Sequence, residues 1–329
     1  MKLMAARLPF LLILLVLGLR PARACDVCGV FVGVRPNQVG HRLELVLRSR
    51  VYGGYVRLPS GESDQSHPLF KTAHDPSLHG NGEPTRYDPA DYSRHLTAEL
   101  RGAFFLTRRW QLLTILPYVD NRQQIAGPVQ RHWGWGDPTV LASWAAVQQD
   151  SGRRPVQWLL QAGGQLPLGQ WSRNASESHL LPGAGVPVAL IGSSLGLRRG
   201  LWGGWLQGLA RFMPQNRAGF RTANLYTLTL TAFRDFQQVK GSIRQHFIPH
   251  VGAHYENYNG EFERGHYQYG TGGQLLFGLA GLEWVRGTLG LMCQVQLPLV
   301  QDLLGTQLGT GGRLHVGLSY TFAGRTLLR

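Results

Sequence analysis

Residues 42–51 read RLELVLRSRV. Leu43, Leu45, Leu47 and Val51 fall on one parity, and Arg42, Glu44, Arg48 and Arg50 on the other. A repeat of two marks an extended strand, because successive side chains leave opposite faces of the pleat. The pattern returns at 95–104, where Leu96, Ala98, Leu100 and Phe104 oppose Thr97, Glu99 and Arg101. It returns again at 313–322, where Leu314, Val316, Leu318, Tyr320 and Phe322 oppose Arg313, His315, Ser319 and Thr321.

Working outward, segments of this kind lie at about 42–52, 95–106, 110–119, 138–148, 155–167, 186–197, 202–212, 222–233, 242–255, 272–284, 287–297 and 312–322. Dividing 213–260 differently changes the count to ten or fourteen. The connections alternate in length. Long ones (53–94, 120–137, 168–185, 213–221, 256–271, 298–311) follow odd strands. Short ones, such as Thr107-Arg108-Arg109 and Arg198-Arg199-Gly200, follow most even strands. A soluble sandwich has no reason to keep its long loops at one end. An outer-membrane barrel does, and it also needs an even strand number. Closure removes unpaired edges, the condition for a sheet to cross lipid. The polar faces agree. Arg42, Glu44, Arg48, Glu99 and Arg101 would be stranded charges inside a sandwich, but they line the lumen of a barrel. Trp110, Tyr118, Trp202, Trp284, Tyr320 and Phe322 near strand ends fit interfacial girdles. The expected fold is therefore all-β, a transmembrane antiparallel up-and-down β-barrel of about twelve strands over 42–322. A tail at 323–329 follows it.

The first 24 residues carry a different signal. Lys2 and Arg7 precede a ten-residue apolar run at 10–19, FLLILLVLGL, and Ala22-Arg23-Ala24 precedes Cys25. This is the layout of a cleaved signal peptide. The run is about half of the roughly 20 residues a spanning helix needs. Acylation of Cys25 would call for Leu and a small residue where Ala22 and Arg23 stand. Residues 25–41 would form a periplasmic segment ahead of the barrel, and no later stretch reaches 18 apolar residues.

Composition narrows the function classes. The chain has 329 residues, 43 % of them apolar and 16 % charged, with 43 Gly and 3 Cys. That excludes a disordered chain and a disulfide scaffold. The net charge of +14 is almost all Arg, since Lys occurs only at 2, 71 and 240. No basic block of five or six residues occurs, so no nucleic-acid partner is expected.

Several short motifs recur in order: Leu116-Pro117-Tyr118-Val119, Gly134-Trp135-Gly136-Asp137-Pro138-Thr139, Gln165-Leu166-Pro167-Leu168-Gly169 and Leu181-Pro182-Gly183-Ala184-Gly185. They are followed by Gln296-Leu297-Pro298-Leu299, Gly305-Thr306-Gln307-Leu308-Gly309 and Gly317-Leu318-Ser319-Tyr320-Thr321-Phe322. As a set, from about 110 to 322, they resemble the outer-membrane transporters grouped as the MetA-pathway of phenol degradation family. The resemblance implies an outer-membrane barrel, some of whose relatives pass aromatic or other apolar substrates, with no catalytic residues and no cofactor. Leu168 departs from the family pattern, as does Cys25-x-x-Cys28-Gly29. Taken by themselves, the Gly-Asp-Pro and Pro-Gly steps read as turns at strand ends. The closing aromatic strand resembles the signal by which barrel-assembly machinery recognises its clients.

Cys25 and Cys28 are the sharpest local feature. Two thiols at this spacing form an exchangeable disulfide, or contribute two ligands to copper or zinc. A full zinc site needs about four ligands. Cys293 alternates with Leu291 and Val295 and reads as lipid-facing. His246, His250 and His254 share a strand face with Glu256. Successive members stand about 13 Å apart at roughly 3.3 Å per residue. No single ion bridges two of them, so they read as polar lumen residues or as separate stations completed from neighbouring strands. The 53–94 loop, with His67, His74, Asp75, His79, Asp88 and Asp91, reads as a solvated outer loop; a surface metal site and a plug are the alternatives. No Gly-x-Ser-x-Gly, His-Glu-x-x-His or phosphate loop occurs, so no enzyme is expected.

The expected function is a porin-like outer-membrane channel or transporter for small solutes, with lipid and solute as its partners. The arginines favour anionic or polar-headed solutes, whereas the family resemblance points to apolar ones. Copper or zinc handling through the Cys pair and the lumen His residues is a second reading. A structural barrel without transport is a third.

Overall fold

The alternation at 42–51 becomes β1 (His41–Val56). The computed structural model describes residues 40–56, 91–149 except 126 and 155–171. It further describes 180–305 except 218, 241 and 242, and 307–322. After β1 come β2 (Tyr92–Phe105), β3 (Trp110–Gln124), β4 (Thr139–Gln149), β5 (Val156–Gln165) and β6 (Val188–Arg199). They are followed by β7 (Trp202–Phe212), β8 (Leu225–Arg234), β9 (Ile243–Tyr258), β10 (Gly273–Arg286), β11 (Leu289–Leu303) and β12 (Arg313–Phe322). No helix occurs among the described residues.

Every strand pairs antiparallel with its neighbours in sequence, and β12 returns to β1, closing a barrel of 12 strands. The closing register runs from His41 opposite Phe322 to Ser49 opposite Leu314. Closure gives each of the twelve barrel strands hydrogen-bonded partners on both sides, so the ring itself has no open end. Parity then divides the side chains. Arg42, Val46, Arg48 and Arg50 are buried, while Leu43, Leu45 and Leu47 are exposed. The exposed band continues through Leu100, Leu116, Ile191, Leu206, Leu297 and Leu318, an inverted arrangement that suits a lipid surround. At the end with short turns, Trp110, Trp202, Trp284 and Tyr320 point outward and are exposed.

The strands run longer at the opposite end than the turn residues suggest. Gly53-Gly54 reads as a break, yet β1 absorbs it as a register shift between Tyr52 and Tyr55 and pairs on with the short strand Gln307–Thr310. Pro298 likewise does not stop β11, because it lies where Leu276 and Phe277 shift register. The upper part of β3 pairs with the short strand Gln130–Trp135, placed in the sequence reading within a loop. The predicted turn at 234–241 is also partly strand: Phe236–Lys240 follows Asp235 and keeps pairing with β9. Locally these segments look like turns, but a partner strand is already alongside in the closed sheet. Continued pairing satisfies more backbone groups than leaving the ladder would.

Candidate functional site

The lumen has two walls of different chemistry. On β1, β2, β9 and β12 it is charged. Glu99 on β2 accepts from Arg48 and Arg101, whose Nε–H donates to it at 2.7 Å. Arg42 pairs with Glu44. Arg313 on β12 grips Glu256 on β9 with both terminal nitrogens, at 2.6 and 2.7 Å, and its guanidinium lies 3.9 Å from the Phe277 ring centroid. Tyr258 donates to the same carboxylate. His254 sits between the Thr229 hydroxyl at 2.7 Å and Glu256 at 2.9 Å. Arg313 and Glu256 are both essentially fully buried. Such bidentate pairs are strong and directional, and breaking one leaves an uncompensated buried charge.

The opposite wall carries an apolar cluster. Leu113 and Ile115 on β3, Leu141 on β4, Leu190 on β6 and Leu209 on β7 pack into one cluster across the interior. Next to it is a neutral polar layer. The Gln161 amide donates to Ser143 (3.2 Å) and accepts from Ser194 (3.0 Å) and Gln207 (3.4 Å). Where the walls meet, Arg50, Arg313 and His315 face Gln207 and Leu209 around a void of about 20 Å³. That is room for roughly one water molecule. Side chains of both walls therefore pack closely around this point.

At the loop end, three of the recurring motifs meet in one clasp. Both oxygens of Asp137 are used, accepting the backbone N–H of Gly169 at 2.9 Å and of Ala184 at 2.7 Å. Around it, Leu166 donates to Pro138, Gln170 to Trp135 and Gly183 to Gln170. A Cβ on Gly169 would stand 2.8 Å from Asp137, and one on Gly183 would stand 2.7 Å from Gly169. Glycine is thus needed for close backbone approach at both positions. The clasp rests on the apolar cluster of Ala184, Val186, Val188 and Met213. Asn121 in the lumen face of β3 reaches it by donating to the Leu180 carbonyl at 2.8 Å. From the sequence alone these motifs read as separate turns. Only the Asp flanked by Gly and Pro hinted at more, as an acceptor in search of donors.

A second cavity of about 450 Å³ opens at the same end, between Arg221, Asn257, Tyr267, Gln274 and Asp302. Small strands at Phe220–Arg221, Phe262–Glu263 and His266–Tyr267 form its rim. The Arg221 guanidinium covers the Phe262 ring at 3.8 Å. The cavity is in the size range of small-molecule sites.

Of the predicted lumen residues, Arg42, Arg48, Glu99 and Arg101 are buried on the inner face, and Glu44 is nearly so. His246, His250 and His254 keep a common parity on β9 but take separate partners: Asp235 at 2.9 Å, Gln294 at 3.2 Å, and the Thr229–Glu256 pair. Among the described residues no group of three or more His, Cys, Asp or Glu is arranged to hold a metal ion. Cys293 is a free, half-buried thiol on the outward parity of β11. Cys25, Cys28 and most of the 53–94 loop lie outside the described residues. Asp91, at the end of that loop, accepts from the Tyr55 hydroxyl at 2.6 Å. Sequence reasoning placed Arg313, His315 and Glu256 on polar faces but did not join them. Their pairing needs the closed ring.

No family model matches the chain, and no characterised protein sequence matches it. Among solved structures, the COG4313 outer membrane channel from Pseudomonas putida F1 superposes with a TM-score of 0.60 at 14% identity. The match covers 88% of this chain and 100% of that one. The beta domain of the Bordetella autotransporter BrkA (TM-score 0.40, 12% identity, 87% and 100% covered) is a more distant likeness. LpxR from Salmonella typhimurium (0.39, 10%, 85% and 100%) is another. The fold is that of outer-membrane β-barrels.

Proposed function

We propose that this protein is an outer-membrane channel that passes small solutes with aromatic or otherwise apolar character, after export by a cleaved signal peptide. One observation carries the reading: a closed barrel with an apolar outer band and a lumen built from two chemically distinct walls. The outer band matches lipid, and the closed ring leaves no backbone group to pay for in it. An inert anchor has no use for a lumen lined by arginines, carboxylates and a leucine cluster. The superposition on a COG4313 channel and the motif resemblance to the phenol-degradation transporters both favour a transport role over a structural one. The 450 Å³ cavity at the loop end fits a first station for an arriving solute. The charged, packed lumen fits selective passage, not bulk diffusion.

The test is conductance. Mature protein reconstituted into planar bilayers should give discrete current steps in potassium chloride. Vesicles carrying it should admit small aromatic solutes faster than vesicles carrying an unrelated barrel of equal strand number. A correctly folded protein that is silent in both assays overturns the proposal and leaves a structural barrel.

A further inference from the structure

We infer that the preferred solute is an amphipathic organic anion, an apolar or aromatic body bearing a carboxylate, read by the two walls of the lumen at once. This deepens the channel reading and rests on it.

The cationic wall comes first. Arg48 and Arg101 share the Glu99 carboxylate, and Arg50 and Arg313 line one small void together with His315. Registers explain the grouping. Arg48 on β1 lies opposite His315 on β12, and Arg50 lies opposite His95 on β2. The four guanidiniums therefore converge on one stretch of lumen, where Glu99 and Glu256 are their described carboxylate partners. A guanidinium holding one carboxylate in a fork can exchange it for another of the same geometry. A row of such groups thus offers an anion successive guanidinium partners along this stretch. A cation entering the same stretch meets like charge at short range in a poorly screened interior.

The apolar wall is the second, independent observation. Leu113, Ile115, Leu141, Leu190 and Leu209 project inward, where a channel for hydrophilic ions has no need of them. β6, which carries Leu190, stands half the ring away from β12, which carries Arg313. The walls meet at the void of about 20 Å³, with Arg50 and Arg313 on one side and Leu209 on the other. A solute displacing side chains there presents its carboxylate to the arginines and its body to Leu209, the apolar residue that lines the void and belongs to the leucine cluster. The fully buried His95 has an Nδ1 with no hydrogen-bond partner among the described residues, a further polar atom for such an anion to engage. This also reconciles two expectations that diverge in the sequence, anionic solutes from the arginines and apolar ones from the family resemblance.

Bi-ionic reversal potentials in planar bilayers test the inference on the full-length mature protein. The probes are benzoate, acetate and benzylammonium, which separate charge from apolar body. Benzoate should be the most permeant, with acetate next and benzylammonium last. Arg50→Gln should lower the benzoate-to-benzylammonium ratio about tenfold, the scale of one lost charge-assisted bond. Leu209→Asn should lower the benzoate-to-acetate ratio about fivefold. Acetate passing as well as benzoate, or benzylammonium passing as well as either, overturns the inference on wild-type protein alone, whatever the variants' folding. Ratios unmoved in folded variants overturn it too. Absence of current with every salt is a different result, since it removes the channel itself.

Discussion

Asp137 shows how one side chain organises segments far apart in sequence. Its two oxygens accept backbone N–H groups from Gly169 and Ala184, residues of two different loops. Asp137→Ala leaves both donors without their acceptor, at a cost of about 1–3 kcal/mol for each buried group left unsatisfied. The expected outcome is a lower unfolding midpoint in urea and faster protease nicking within 166–187, with Asp137→Asn recovering part of the loss. Glu256 is the second residue of this kind. It anchors Arg313, His254 and Tyr258 together. Glu256→Gln should destabilise the barrel by about 3–5 kcal/mol, because Arg313 stays charged and buried. Adding Arg313→Met to that variant should restore much of the stability, since a buried pair replaced by apolar groups is often neutral. A double mutant no more stable than the single one would contradict this account.

At the scale of the strand, parity is the governing rule. β1, β2 and β12 keep charge on one face and aliphatic groups on the other through most of their length; Val46 and Ala103 on the inner side and Arg94 on the outer side depart from it. An arginine is therefore tolerated or harmful by parity. Leu45→Arg, on the outer face opposite Leu318 and Leu100, should cost about 2–4 kcal/mol in a bilayer, the range for a charge near the midplane. Its neighbours one residue away already include Glu44 at no such cost, because that side chain pairs with Arg42 inside. Equilibrium folding into lipid vesicles measures the difference, and a Leu45→Arg protein as stable as wild type would argue against a lipid-facing surface. Strand length follows another rule. Gly53-Gly54 and Pro298 did not end their strands, because a partner was in place to continue the ladder across a bulge.

At the scale of the whole molecule, closure is the organising event. It joins β12 to β1 and so brings Arg48 to His315 and Arg42 to Thr321 across the largest separation in the chain. A closed barrel of this kind should migrate differently on gels before and after heating. A single band under both conditions would count against it. The Cys pair lies ahead of β1, outside the described residues, where the alternation in the sequence gives no barrel strand. Cys25→Ser with Cys28→Ser should accordingly leave conductance unchanged, and a collapse of current in that double variant would return metal or redox chemistry to the centre of the function.

Alternation, loop-length asymmetry and aromatic strand ends were enough to give the fold class, a strand number of about twelve and the strand face on which Arg42, Arg48, Glu99, Arg101 and the β9 histidines fall. Each is a local property, written in a repeat of two that any single strand displays. What tertiary structure alone decided was partnership. Arg313 with Glu256, Asp137 with the 169 and 184 backbones, and Leu190 with Leu113 lie far apart along the chain. Their contacts depend on register and shear around a closed ring, which no local pattern encodes. For the same reason the two-walled character of the lumen was invisible in the sequence. A strand shows which of its residues face inward, but not which inward residues of other strands they will face.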